Sequence, residues 1–509
     1  MGSVFIVVFA GIFTLYTQEV ILEDESVWYR TFWIRQLIIF IIGLMIALVL
    51  RRINYQVLEA YAIPAYGIAI FLLLLTFIIG SRIKGAKSWI VIGPFGLQTS
   101  EFAKLATIIL IAKYLELKER ELDRIPTLLI PFGLAVVPMF LIVLQPDFGS
   151  AFSFAPVLMS MLFIAGADIF HISSVLIFFG VSLSIPLYLE YYKITLVAPL
   201  LNRLEDLEKM DLMPAVRILD TDVWNFIYDK KIPDHILENA AQGQGVTDLN
   251  YLQNILGNAD LLQSFREVAD TVRYESGGFL LSFLDNLTLL LVIGVVFALI
   301  AAVLFVLRYS QGTSLHKLRN FYIPLGVIGV SLITAVTFQK TVSFKHHQVV
   351  RITAFINPEK FPRDRAYHIR ASKAAIGSGE LTGRGMFQGD MTIGRTPLVP
   401  EANTDFIFTA WSERTGFVGS VLLLLVLLAI PLRGLLIAFE SRDRFGSLLA
   451  SGISFLFFYH IALNAGIAMG LLPVTGLPLS FMSYGGSHLL MCMLGVGILL
   501  SVHRRKYVN

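Results

Sequence analysis

Long apolar runs divided by polar stretches dominate the chain. Runs at 4–16, 31–50, 58–79, 102–114, 127–144, 151–167, 172–189, 284–307, 321–338, 416–432, 446–469 and 489–502 predict about twelve membrane spans, because a helix crossing the hydrocarbon core needs roughly 20 mostly apolar residues. The 102–114 run is short and is expected to extend back through Glu101 and forward past Tyr114. Three polar intervals are long: 81–100, about 190–283 and about 339–415. In the second, 203–209 and 254–270 are patterned as amphipathic helices. The third is rich in Gly, Pro and charge, and a loop of that length is seldom a mere connection. The fold expected is an all-α polytopic membrane protein of about twelve transmembrane helices with a small helical insertion outside the membrane. Its order is about seven spans in 1–190, an outer segment at 191–283, a helix pair at 284–338, a long outer loop at 339–415 and three spans in 416–509.

Composition sharpens that picture. The chain of 509 residues is 56% hydrophobic and 15% charged, with a mean hydropathy of +0.72. Soluble domains carry about 25% charged residues, so a single water-facing globule is excluded. The net charge of +3 says little, but the placement of the charges says more. Arg51 and Arg52 follow the second run; Lys118, Arg120 and Arg124 the fourth; Arg308, Lys317 and Arg319 the eighth; Arg433, Arg442 and Arg444 the tenth; and His503 to Lys506 the last. With alternating spans all of these share one side, which the positive-inside rule makes cytoplasmic, together with both termini. The first run reads as a span rather than a cleaved export signal, since many others follow it. The one cysteine, Cys492, lies in an apolar run, so neither a disulfide framework nor a Cys-based metal site is expected.

Four stretches carry candidate chemistry. In Gln98-Thr-Ser-Glu-Phe-Ala-Lys104, Glu101 and Lys104 share a helix face. An ionised residue in the membrane core costs about 2.5–3.5 kcal/mol on insertion scales, so the pair faces protein or water; it either fixes packing or serves a site. In Leu144-Gln-Pro-Asp147-Phe-Gly149, Pro146 breaks the helix, and Asp147 is either a cap or a functional carboxylate. The long loop holds Arg351, Tyr367-His-Ile-Arg-Ala-Ser-Lys373, Gly383-Arg-Gly385 and Pro400-Glu-Ala-Asn-Thr-Asp-Phe-Ile-Phe408. Arg351, Lys373 and Arg384 suit a pyrophosphate. Asp405 is either a helix cap or a carboxylate at the water–lipid boundary, placed to act as a base. The glycines do not match a nucleotide-binding loop. Finally, Gly470-Leu-Leu-Pro-Val-Thr-Gly-Leu-Pro-Leu-Ser-Phe-Met-Ser-Tyr-Gly-Gly486 is either an outer loop or a re-entrant segment.

Taken in order, Gly85-Ala…Trp89, Ser100-Glu…Lys104, Gln145-Pro-Asp147, Tyr367-His-Ile…Gly-Arg-Gly385, Pro400-Glu…Thr-Asp-Phe-Ile-Phe408 and Asn464-Ala-Gly…Ser483-Tyr-Gly-Gly-Ser487 resemble the SEDS (shape, elongation, division, sporulation) family of peptidoglycan polymerases. The resemblance implies a ten-helix core, here with an extra segment and helix pair at roughly 191–317, and a glycosyltransferase that polymerises lipid II with inversion. It implies Asp405 as the catalytic residue and Glu101, Lys104 and Asp147 as cavity positions; Arg351, Lys373, Glu401 and Thr404 are expected as further substrate contacts. It implies a class B penicillin-binding protein transpeptidase and other elongation-complex membrane proteins as partners, and no nucleic acid. No cofactor is fixed by it; a divalent cation, Mg2+ or Mn2+, stays open, and no metal-ligand set stands in the sequence. A flippase for the lipid-linked precursor and a non-catalytic scaffold of the same machinery are the competing functions. Thr99, Ala371 and Glu380 depart from the family's usual Pro, Gln and Gly.

Overall fold

The structure is a computed structural model; it describes residues 1–20, 31–83, 86–92, 95–122, 125–192, 283–284, 286–311, 319–341, 365–393 and 397–506. The amphipathic helices expected at 203–209 and 254–270, most of the outer segment, and Arg351 lie outside the described residues.

The helices are α1 (Gly2–Val20), α2 (Phe32–Arg52), α3 (Gln56–Ala60), α4 (Ala62–Ile79), α5 (Thr99–Leu117), α6 (Ile125–Leu144), α7 (Phe148–Phe152), α8 (Phe154–Ile164), α9 (Ile169–Tyr192), α10 (Leu287–Gln311), α11 (Arg319–Thr341), α12 (Arg365–Ser378), α13 (Ile407–Phe439), α14 (Arg444–Ala468) and α15 (Gly486–Arg504). Ten of the twelve apolar runs each fall on one of these helices, while 58–79 crosses α3 and α4 and 151–167 crosses α7 and α8. Ten helices are long and apolar enough to cross a membrane among the described residues. The runs at 102–114 and 151–167 fail for visible reasons. Helix α5 carries Glu101, Lys104, Lys113 and Glu116, and the 148–164 run is short and divided at Ser153.

Two compact units result: residues 1–172 with 361–509, and residues 173–360. In the first, α5, α14 and α15 lie at the centre. A single apolar core joins Ile108 and Ile111 of α5 to Leu449 and Phe457 of α14 and Met491 and Val496 of α15. In the second, α10 and α11 pack along each other and gather Leu290, Ala335 and Val336 with Ile185 and Leu189.

The outer segment at 81–100 forms a three-stranded antiparallel sheet, β1 (Ser81–Ile83), β2 (Ala86–Ile92) and β3 (Phe95–Gln98), which the apolar pattern alone does not predict. Trp89 stands opposite Gln98, and β3 leads straight into α5. Thr99, where the family favours Pro, is the first residue of α5, the position at which Pro is readily accepted. Its hydroxyl is satisfied by Thr76, at 3.0 Å.

Helix α13 is broken at Gly416 (φ 66°, ψ −164°), and a loop repairs the break. The amides of Arg384 and Gly385 donate to the carbonyls of Glu413 and Arg414, while those of Phe417 and Val418 donate to Glu380 and Leu381. Backbone freed inside a membrane must find such partners. A side chain on Gly383 or Gly416 would collide with the opposing backbone, which explains the Gly-Arg-Gly motif in structural terms.

Candidate functional site

Helix α2 separates two ends of the first unit. Near its start, Gln36 Nε2 donates to the Ser483 carbonyl (3.0 Å) and the Phe32 ring packs at a tilt against Tyr484 (4.6 Å). At its far end, Arg505 donates to the Arg52 carbonyl and Ser501 to that of Ile53. The 21 residues between Phe32 and Arg52 measure about 30 Å, the thickness of a hydrocarbon core. The 483–484 motif and the basic residues Arg51, Arg52 and Arg505 thus stand at opposite ends of α2.

The 470–485 segment is no surface loop. Phe481 packs edge-on against Phe457, midway along α14, at 5.1 Å, and Gly11, midway along α1, lies directly under the Met482 carbonyl. Leu477, Leu479, Phe481 and Met482 are buried. Irregular backbone at that depth is tolerated because protein encloses it, so the re-entrant alternative holds.

This segment fixes the stretch before α13. Tyr484 N donates to Asn403 O (3.0 Å), and Ser483 Oγ donates to Thr404 O (2.6 Å) while accepting from Leu479 N (2.8 Å). Asn464 Nδ2 donates both to Asp405 O (2.9 Å) and to Leu477 O (2.8 Å). Glu401 (φ 59°) turns the chain: its carbonyl accepts from Thr404 N and Phe406 N, and its carboxylate accepts from Thr404 Oγ1 at 3.0 Å. Glu401 and Thr404 therefore build the turn that presents Asp405. The Asp405 carboxylate is half-buried and faces Gly476, where a Cβ would stand 3.5 Å from Oδ2.

One turn along α14 from Asn464 sits His460, about 6 Å away along the axis. Here the buried charges gather. Lys104 Nζ lies 2.8 Å from Glu101 Oε1 and 3.2 Å from His460 Nε2. Glu101 Oε2 lies 3.0 Å from His488 Nδ1, and the two imidazoles stack with centroids 4.9 Å apart. Glu101 and Lys104 are 1% and 2% exposed. At such depth either charge would be untenable without the other.

Asp147 is both things the sequence allowed. It caps α7, accepting from Ser150 N (3.2 Å), and reaches the end of β3 by accepting from Gln98 Nε2 (2.8 Å). Burial pushes its carboxyl above the usual range, against the pull of the Ser150 hydrogen bonds and the Lys104 charge. Ser487 holds the strand in place, donating to Gly96 O and accepting from Gln98 N, both at 2.8 Å.

Lys373 is exposed on α12, and the end of its side chain lies against Gly470. Ser372 beside it fastens α12 by bonds to Thr409 Oγ1 (2.6 Å) and Ala468 O (2.7 Å). Arg384 is turned into its own loop, bonded to Ser378 O and ion-paired to Asp390. Among the described residues no three His, Cys, Asp or Glu side chains converge as a metal site. Sequence reasoning missed Gln98, His460 and His488. The two histidines carried a signal: an ionisable residue inside a span marks a site by default.

Comparison with known proteins agrees with this arrangement. The family model for cell cycle proteins named FTSW_RODA_SPOVE matches residues 1–211 and 281–508. The peptidoglycan glycosyltransferase RodA of Treponema pallidum (strain Nichols) is 29% identical over 500 residues, covering 97% of this chain and 94% of that protein. The peptidoglycan glycosyltransferase MrdB of Escherichia coli (strain K12) is 38% identical over 183 residues, 35% of this chain and 49% of that protein. In fold, the chain resembles one chain of a solved peptidoglycan synthase complex (TM-score 0.56, 20% identity, covering 100% of this chain and 97% of the other). It also resembles the crystal structure of RodA from Thermus thermophilus (TM-score 0.50, 19% identity, 100% and 96%). Matched on both sides of its outer segment and through every motif of the site, this integral membrane protein belongs to the FtsW/RodA/SpoVE family of cell cycle proteins.

Proposed function

We propose that this protein is a peptidoglycan glycosyltransferase that polymerises lipid II into glycan strands for cell elongation and rod shape. The observation that carries the proposal is Asp405, whose carbonyl is held by Asn464 of α14, the same helix that one turn away sets His460 against Lys104 of the buried Lys104–Glu101 pair. A carboxylate and a buried cation anchored on one helix suit a reaction in which a proton leaves one oxygen while negative charge grows on another. The 4-hydroxyl of an acceptor GlcNAc attacks C1 of a MurNAc carried on undecaprenyl pyrophosphate. Asp405 takes the hydroxyl proton, the C1–O bond breaks with its electrons going to the pyrophosphate, and the new linkage is inverted. Lys104, Lys373 and Arg351 offset the charge on the departing pyrophosphate. Asp147, with Gln98, shapes the wall of the site.

The Treponema relative, matched over nearly its whole length and named as a RodA, supports the elongation role. Arg51, Arg52 and Arg505 at the far end of α2 support an active face outside the cytoplasmic membrane of a bacterium, with both termini inside. A class B penicillin-binding transpeptidase is the partner we assign. The likeness to a synthase described as coordinating polymerization and crosslinking supports it.

The test is purified protein incubated with lipid II, wild type beside Asp405→Asn, with glycan chains resolved on a gel. Wild type is expected to give ladders and the variant about 10²–10⁴-fold less polymer. Polymer from Asp405→Asn at the wild-type level would remove Asp405 as the base. A silent wild type, even with its transpeptidase, would leave a flippase if lipid II crosses sealed vesicles and a scaffold if it does not.

A further inference from the structure

Lys104 is held from two sides, and its clamp is the part of the buried cluster that the proposed reaction leaves without a role. The pattern of partners assigns both imidazole tautomers. His460 Nδ1 faces the Pro478 carbonyl at 3.3 Å and must donate there, so its Nε2 accepts from Lys104 Nζ. His488 Nδ1 faces Glu101 Oε2 and must donate to it, so its Nε2 accepts from the Cys492 thiol at 3.7 Å. The hydrogen bonds then run in one consistent chain, from Cys492 to His488 to Glu101, and from Lys104 to both Glu101 and His460. Every member is buried: His460 is 0% exposed, His488 3% and Cys492 0%. Among the described residues Lys104 Nζ donates to two acceptors, which leaves one of its three N–H groups for a ligand.

We infer that His488 and His460 are positioning residues, which lock the Glu101–Lys104 pair so that the remaining Lys104 N–H is aimed at the pyrophosphate of a polyprenyl-linked substrate. The inference rests on the glycosyltransferase reading for the identity of that ligand. Its geometric basis is independent. A lysine carries four rotatable bonds, and holding its head in one place costs rotamer entropy at each encounter unless the protein has already fixed it. Two acceptors do this for Lys104: the Glu101 carboxylate supplies the counter-charge, and the His460 ring sets the direction. His488 acts one step back. It occupies the second oxygen of Glu101, so the carboxylate cannot swing, and its ring stacks on His460. The re-entrant segment supplies the last anchor through the Pro478 carbonyl, so the clamp and the seat of Asp405 share one backbone.

The test is a double-mutant cycle on the purified full-length protein with its transpeptidase partner, using His488→Leu, Lys104→Gln and the pair. Initial polymerisation rates are measured against lipid II concentration, and binding of a polyprenyl pyrophosphate is measured beside them. His488→Leu is expected to raise KM about tenfold with kcat changed far less, because the contact is made before and during the reaction. The double variant is expected to be no worse than Lys104→Gln alone, since a residue that acts through Lys104 has nothing left to position. His488→Asn keeps an N–H near the place of Nδ1 and should return KM to within about threefold of wild type. Additive losses, or an Asn variant as impaired as the Leu variant, would overturn the inference, and so would a lower melting temperature with KM unchanged. If His488→Leu does not fold, the same cycle is run with His488→Ala. A wild type that makes no polymer would defeat the glycosyltransferase reading instead. The binding cycle still decides the clamp in that case: coupling retains it, and its absence overturns it.

Discussion

The centre of the first unit and the α10–α11 pair of the second answer the membrane in opposite ways. In α10, the stretch Leu287–Leu307 has a hydropathy of 3.3 and is only 17% buried, whereas Gly486–Arg504 of α15 has a hydropathy of 1.6 and is 72% buried. Helix α5 goes further. It buries Glu101, Lys104 and Thr107 and fails the hydropathy test altogether. High hydropathy thus marks helices that face lipid. Helices enclosed by other helices are free to carry polar and ionised groups, because their solvent is protein. The α10–α11 pair is held by close backbone approach: Gly329 packs against Ala298 and Gly294, with no space for a Cβ. The centre adds a buried ion pair, two histidines and the re-entrant segment.

The contrast predicts graded outcomes. The largest effect is expected at Glu101→Leu, which strands Lys104 and should cost about 3–5 kcal/mol of stability by thermal or denaturant unfolding in detergent. Adding Lys104→Met should recover much of the stability and none of the polymerisation; recovery of both would make the pair a packing device only. Gly329→Leu comes next, at about 1–3 kcal/mol through overpacking of the seam, read from the unfolding midpoint. Full tolerance there would mean that α10 and α11 are not held by their close approach. Glu380→Gly should gain about 1 kcal/mol, because Glu380 adopts φ 47°, a conformation costly for any side chain. A loss would mean that the exposed Glu380 side chain contributes more than its backbone costs. The smallest change is expected at Leu299→Ala, where the side chain is 60% exposed on α10. It should stay within about 0.5 kcal/mol, and a larger loss would reveal a partner seated on that face.

Much of the fold is legible in the order of residues. The helices follow the apolar runs, and ten of them among the described residues are long and apolar enough to cross a membrane. The sheet at 81–98 is not legible, since its strands are short and β1 and β3 hold only three and four residues. For the site, Glu101, Lys104, Asp147 and Asp405 stand out because each is a charge beside or within an apolar run. Glu401 and Thr404 stand out by motif, but only the structure shows them joined to each other as the turn before Asp405. Arg384 shows the limit of motif reading. The glycines around it exist to repair the break in α13, and its own charge is met by Asp390.

The sequence by itself determined that the chain lives in lipid and that a few ionised side chains lie where lipid would not tolerate them. These are consequences of composition and spacing, which act locally along one helix. The tertiary structure alone decided which groups meet. His488 reaches Glu101 across 387 positions of chain, and Asn464 reaches Asp405 across 59. Such contacts leave no periodic trace, because they depend on helix crossings and on a re-entrant backbone whose own hydrogen bonds are satisfied only after the helices have assembled around it.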